Sequence, residues 1–246
     1  MPTCLITGAT GGVATALAGR LRAAGWRLAL VTRQPDKLQP DEADLVIEAD
    51  VSTAAGADHA LAAAEGAFGA PPTALAHCAG AVVLGSLPRT TEAMYRDCLA
   101  ANLDSAFFIA QAYAPRVQKA GQGGSLLFFS SVAAGMGVSN HAAIAAAKGG
   151  VEGLVRALAA DYSAAGLRIN AIAPGLLRTP ATARLLSSEA STKAIRAQYP
   201  LGRHGEAEDA AALGAFLLSD EAGWVTGQVI ALDGGFQAVR PMVRAG

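Results

Sequence analysis

Gly8, Gly11 and Gly12 follow the short apolar run Thr3-Cys4-Leu5-Ile6-Thr7 and precede Val13, Leu17 and Leu21, which recur at helical spacing. Strand, glycine turn and helix start gather free backbone N–H groups and the positive end of a helix dipole at one point, which binds phosphate. Gly8 makes the turn, and Gly12 has no side chain to block a diphosphate over the helix start. A merely tight strand-to-helix turn is the plainer alternative; the motif's place at the first of several strands favours the phosphate site. The end of the second strand sets the kind of nucleotide, since an acidic residue there would hold a ribose 2′-hydroxyl. The chain has Val31-Thr32-Arg33 instead. A hydroxyl followed by a forked guanidinium suits a 2′-phosphate, so NADP(H) is expected in preference to NAD(H); an ordinary surface arginine is the alternative. Asp50, next to Val51 after the third strand, is placed to hold an adenine amino group.

A scaffold of alternating elements must position these groups. Residues 3–7, 28–31, 45–47, 73–76, 125–130, 167–172 and 229–232 read as strands. Residues 12–24, a long stretch from Glu92 to about 119, 140–165 and 206–219 read as helices. The last begins with acidic residues, which suits the positive end of its dipole. Such alternation implies parallel strands, right-handed crossovers and helices on both faces. The expected fold is α/β, a three-layer doubly wound Rossmann fold with a seven-stranded parallel sheet in the order 3-2-1-4-5-6-7. No linker, repeat or low-complexity segment interrupts it, so residues 1–246 read as one dinucleotide-binding domain.

Composition narrows the partners. The chain is 52% apolar and 16% charged, with a net charge of −1, which leaves no basic surplus for nucleic acid. Cys4, Cys78 and Cys98 are too scattered for a disulfide framework or a zinc site, and no metal is expected. No apolar run reaches the ~18 residues of a membrane span. The start, Met1-Pro2-Thr3, has no basic region or cleavage-like site, so a cytoplasmic location is the expectation.

The motifs taken in order are Thr7-Gly8-x-x-x-Gly12, Asp50-Val51, Ala79-Gly80, Asn102, Ser130-Ser131, Lys148, Asn170-Ala-Ile-Ala-Pro174-Gly175, Thr179-Pro180, and Thr226-Gly227-Gln228 through Asp233-Gly234-Gly235. Over its whole length the chain resembles the short-chain dehydrogenase/reductase family, nearest to its β-ketoacyl-carrier-protein reductase style of member. The resemblance implies a nicotinamide cofactor and hydride transfer to or from a carbonyl. It implies cofactor contacts from Gly8, Thr10, Gly11, Gly12, Val13, Thr32, Arg33, Asp50, Val51, Ala79, Gly80, Lys148, Pro174, Gly175 and Thr179. It further implies that Ser131 polarises the carbonyl, Lys148 binds the nicotinamide ribose and Asn102 holds a water in a proton relay. The family's proton donor is a tyrosine four residues before the lysine, and that position is Ile144. Isoleucine has no proton to give, and general acid–base catalysis is typically worth ~10²–10⁴-fold. Two departures are milder. The third glycine of the loop is Ala14, and the usual Asn-Asn before Ala79-Gly80 is His77-Cys78, which removes amides that brace the fourth strand.

His141 is the nearest local substitute. Positions 141, 144 and 148 share one helix face, and histidine as a residue type exchanges protons near neutral pH. A helix start disfavours the imidazolium, and the side chain begins one turn, ~5 Å, from the phenol's place. The alternative is a helix-start hydrogen-bonding histidine. By the resemblance the segment 181–200 is a lid over the substrate; its Leu185, Leu186, Ile195 and Tyr199 suit an apolar one, with Tyr199 as the lid's anchor rather than as an acid. The expected function is an NADP-dependent oxidoreductase on a small carbonyl or alcohol with an atypical proton relay. The alternative is an NADP(H)-binding, catalytically impaired member serving as sensor or partner subunit. Elimination or isomerisation lacks a positioned carboxylate. The apolar, alanine-rich faces of residues 92–119 and 140–165 imply, by the resemblance, pairing into a homodimer or homotetramer.

Overall fold

A computed structural model describes residues 1–240. The chain runs through β1 (Thr3–Thr7), α1 (Gly12–Ala23), β2 (Arg27–Thr32), β3 (Leu45–Glu48), α2 (Ala54–Phe68), β4 (Ala74–His77), α3 (Glu92–Leu99), α4 (Ser105–Ala120), β5 (Gly124–Phe129), α5 (Ala142–Tyr162), β6 (Leu167–Pro174), α6 (Glu189–Arg196), α7 (Ala207–Leu218) and β7 (Val229–Leu232). The seven strands form one sheet in the order β3-β2-β1-β4-β5-β6-β7, parallel at every pairing, as expected from the sequence. A two-residue ribbon, Leu177–Arg178 with Gly205–Glu206, lies outside it.

Alternation along each strand divides the core in two. Leu5, Val31, Leu75 and Phe128 face α2, α4 and α5, where they meet Leu61, Ile109 and Val155. Cys4, Ile6, Leu30 and Leu127 face α1 and α7, where they meet Leu17, Leu21 and Leu217. Both faces are therefore covered, which is why β1 is buried at every position. Ala57, Ala60 and Ala64 are fully buried on α2, so the scarcity of large side chains reflects close packing of helix on sheet.

Two elements depart from the sequence reading. The stretch after Glu92 is not one regular helix: α3 ends at Leu99, Ala100–Asp104 is π-helical, and α4 follows. Side chains satisfy carbonyls at this wide turn, with Asn102 Nδ2 donating to Cys98 O at 2.9 Å and Ser105 Oγ to Ala101 O at 2.8 Å. Helix α2 is absent from the elements expected from sequence, because alanine runs along most of its length and blurs the periodicity. Its start is capped by Thr53 Oγ1, which accepts from Gly56 N at 3.0 Å.

Candidate functional site

The glycine loop joins β1 to α1. Gly8 has φ +63°, and a Cβ there would lie 2.7 Å from the Ala79 backbone, so both conformation and close approach require glycine. Gly11 is the N-cap of α1 and offers no side-chain cap, and the first turn carries no acidic residue. The first N–H groups of this twelve-residue helix are thus left to a ligand. Gly12 has a further constraint: a Cβ would lie 3.1 Å from Pro180 Cδ and 3.2 Å from Thr179 Cβ, so its bareness also admits the segment after β6.

Two recesses at the carboxyl ends of the strands meet along Cys78–Ala81. The first, of about 540 Å³, is lined by Gly8, Thr10, Gly11, Thr32, Arg33, Asp50 and Val51 among others. The Arg33 side chain is 71% exposed at its rim, with Nη1 3.9 Å from Asp50 Oδ2. Asp50 Oδ1 accepts from Ser52 Oγ at 2.7 Å and Ser52 N at 3.0 Å, and the Ser52 hydroxyl holds the carboxyl below its ordinary range. Thr32 Oγ1 accepts from Gln34 N at 3.1 Å, which fixes the turn that carries Arg33.

The second recess, of about 430 Å³, collects Val13, Ala79, Gly80, Asn102, Ser131, His141, Ile144, Lys148, Pro174, Gly175 and Thr179. Lys148 is buried on α5, and its Nζ donates to Phe129 O at 2.8 Å. Burial lowers its pKa to about 8, opposed by the thiols of Cys98 and Cys78. A Cβ on Gly80 would lie 2.8 Å from Asn102 Oδ1 and 3.5 Å from Lys148 Nζ, so glycine lets both side chains come up against the loop. The Asn102 amide joins its own turn to the loop after β4: Nδ2 donates to Ala81 O (3.1 Å) and Cys98 O, and Oδ1 accepts from Ala81 N (3.3 Å). Ser131 Oγ accepts from Ala133 N at 3.2 Å and caps the short helix Val132–Gly135. Its O–H donates to no protein group among the described residues. Ser130, its neighbour, points elsewhere and donates to Glu152 Oε1 at 2.7 Å.

Ile144 is buried with Cys98, Ala143 and Ala147 while still lining the recess. His141 is the residue before the first turn of α5 rather than a member of the helix. Its Nδ1 lies 2.7 Å from Ser139 O, which assigns the ring proton to Nδ1 and leaves Nε2 as an acceptor in the neutral ring. Tyr199 lies across Gly175, its Oη accepts from Leu176 N at 2.7 Å, and its ring packs on Phe236 at 5.1 Å. Leu185 and Ile195 line the recess from the same segment, which folds as the 3₁₀ stretch Pro180–Leu186 followed by α6.

In place of the bracing amides whose loss the sequence implies, His77 braces the strand itself. Ser105 Oγ donates to Ala101 O, so it accepts from His77 Nε2–H at 3.1 Å. Nδ1 then accepts from Thr7 Oγ1 at 2.9 Å, and Thr7 Oγ1 accepts from Ala79 N at 3.3 Å. One buried imidazole therefore ties β1, the Ala79 loop and the wide turn of Asn102 together. Burial, aided by Lys148, pushes its pKa down to about 3, so it stays neutral. The available signal was a polar residue ending an otherwise apolar buried strand.

Uncapped N–H groups at Gly12, glycine at three close approaches and two joined recesses fit an extended dinucleotide. A family model described as enoyl-(acyl carrier protein) reductase matches residues 8–237. The chain is 35% identical to 2-(S)-hydroxypropyl-CoM dehydrogenase 3 of Xanthobacter autotrophicus, covering 95% of this chain and 96% of that one. It is 34% identical to the inactive 2-(S)-hydroxypropyl-CoM dehydrogenase 2 of the same organism, covering 88% and 97%. The solved structure of levodione reductase superposes with a TM-score of 0.89 at 32% identity, covering 97% and 98%. Fold and site define a Rossmann-type oxidoreductase. The chain belongs to the short-chain dehydrogenase/reductase family, whose members bind a nicotinamide cofactor and act on small alcohol or carbonyl substrates. Among the described residues no helix is long and apolar enough to cross a membrane.

Proposed function

We propose that the protein is an NADP(H)-dependent carbonyl reductase or alcohol dehydrogenase whose proton relay runs without a tyrosine. The observation that carries it is the convergence of Ser131, Lys148 and His141 on one recess next to a phosphate-binding loop, with Ile144 at the phenol's position. Bound reduced nicotinamide supplies the hydride. The Ser131 O–H, which has no other acceptor among the described residues, donates to the substrate oxygen. Lys148 holds the ribose and, with its pKa lowered to about 8, gives the proton that turns the alkoxide into the alcohol. Asn102 keeps the turn behind Gly80 wide enough for both side chains. His141 returns protons at the mouth. Thr10, Gly11, Gly12 and Val13 take the diphosphate, Asp50 and Val51 the adenine, and Thr32 with Arg33 the 2′-phosphate. Pro174, Gly175 and Thr179 back the nicotinamide. Residues 181–200 close over the substrate, and the chain acts as one cytoplasmic domain. It pairs into a homodimer or homotetramer through α4 and α5, where Phe107 is 47% exposed.

NADPH oxidation against a panel of ketones and ketoacyl thioesters tests the reading. Turnover well above that of Lys148→Ala is expected, and turnover no greater than this control overturns it. Ile144 favours a second reading, a nucleotide-binding member without redox activity, and the likeness to a relative named as inactive agrees with it. Tight NADPH binding without turnover of any carbonyl would establish that one.

A further inference from the structure

Resting on the reading above, we propose that the second recess takes an uncharged, largely apolar ketone or the matching secondary alcohol. No carboxylate, sulfonate or phosphate lies near the reacting carbon. Among the described residues the lining includes no Arg, Asp or Glu. Val82, Leu84, Val138, Leu185, Ile195 and Phe236 line the recess, and Ile144 adds an aliphatic surface where a phenol would have been polar.

The one fixed cation serves the reacting oxygen at the floor and is out of reach of an anionic group elsewhere on the substrate. Lys148 Nζ is bonded to Phe129 O at the floor, beside Gly80 and Asn102, where the ribose is assigned. The lid's own cations, Arg184, Lys193 and Arg196, are exposed and do not line the recess, and Arg178, just before the lid, is turned to His204 Nε2 (3.0 Å) and Glu206 Oε2 (3.6 Å). Arg89 opens on a neighbouring surface groove beyond Leu84 and His141, outside this recess. An anionic group set against the aliphatic wall would lose its hydration and meet no guanidinium or ammonium there, since Lys148 and the Ser131 O–H serve the reacting oxygen, whereas an alkyl or aryl group gains from leaving water.

Three probes of one skeleton and similar size test this: 4-isopropylacetophenone, 4-acetylbenzamide and 4-acetylbenzoate. Each is titrated by calorimetry into the protein saturated with NADP⁺, where a ketone has no hydride to accept. The isopropyl ketone is expected to bind tightest and the benzoate at least tenfold more weakly than it. Leu185→Arg, which adds a cation to the wall, is expected to close most of that gap. Benzoate binding within threefold of the isopropyl ketone, or no binding of any probe, overturns the proposal. A separate NADPH fluorescence titration reports the nucleotide reading itself. If NADPH fails to bind, the three probes are titrated into the free protein under the same decision rule, so the two ideas fail separately.

Discussion

The half of the cleft beside Arg33 and the half beside Ile144 are built from different material. The first is backbone, hydroxyls and charge: Gly8, Thr10, Thr32, Arg33 and Asp50, with Ser52 holding Asp50 in place. The second is mostly aliphatic, and three of its polar groups, Ser131, Asn102 and Lys148, sit close to the Ala79–Gly80 loop and the end of β5. A phosphate grip made of backbone N–H groups does not depend on one side chain, whereas a proton relay does. One substitution therefore separates nucleotide binding from chemistry, and the halves can be broken apart experimentally.

The largest effect is expected in the first half. Gly8→Ala forces a left-handed conformation on a residue with a Cβ and drives that carbon into the Ala79 backbone. Strain and overpacking together cost about 2–5 kcal/mol. Thermal unfolding should shift down strongly and NADPH titration should show no saturable binding; near-normal affinity would mean that the loop is not the grip. Next comes Ile144→Tyr in the second half. If the relay lacks only its donor, carbonyl reduction should rise by about 10²-fold, the lower end of a general-acid contribution. NADPH affinity should stay unchanged. A flat response in kcat would show that the Ser131 and Lys148 geometry is no longer arranged for hydride transfer.

Arg33→Ala should weaken NADPH binding about tenfold, or about 1.4 kcal/mol, and leave NADH binding as it was. Equal loss for both nucleotides would remove the 2′-phosphate assignment. The last effect is on stability rather than on binding or turnover and concerns His77, which joins the halves. Its folded pKa of about 3 lies below the roughly 6.5 of an unfolded histidine. The unfolded chain therefore binds the extra proton in that window, and stability is lost as pH falls from about 6.5 towards 3, by at most about 1.4 kcal/mol per pH unit. Denaturant titrations should show a shallower acid decline for His77→Asn than for the native chain. Parallel declines would show that the imidazole is not the group responsible.

The sequence carried every motif of the cleft floor, because each depends on local order. A glycine turn between strand and helix, a hydroxyl and arginine ending the next strand, and a lysine four residues after an isoleucine are all readable without knowing what lies across the sheet. It also carried the strand order, since alternating strands and helices leave few ways to cover both faces of a parallel sheet. The alanine-rich helix Ala54–Phe68 escaped notice, because its faces differ too little in polarity for a period to emerge.

Tertiary structure decided what depends on residues far apart in the chain. His77 acquired its role from Thr7 and Ser105, 70 and 28 residues away, and no spacing rule announces that contact. The apolar character of the second recess likewise arises only when residues from Val82 to Phe236 share one wall. Local sequence thus determined where backbone donors and ionisable groups stand. Packing across the sheet determined which were held, which stayed free, and what surroundings a ligand would meet, because burial and hydrogen-bond partners belong to the folded assembly of distant segments.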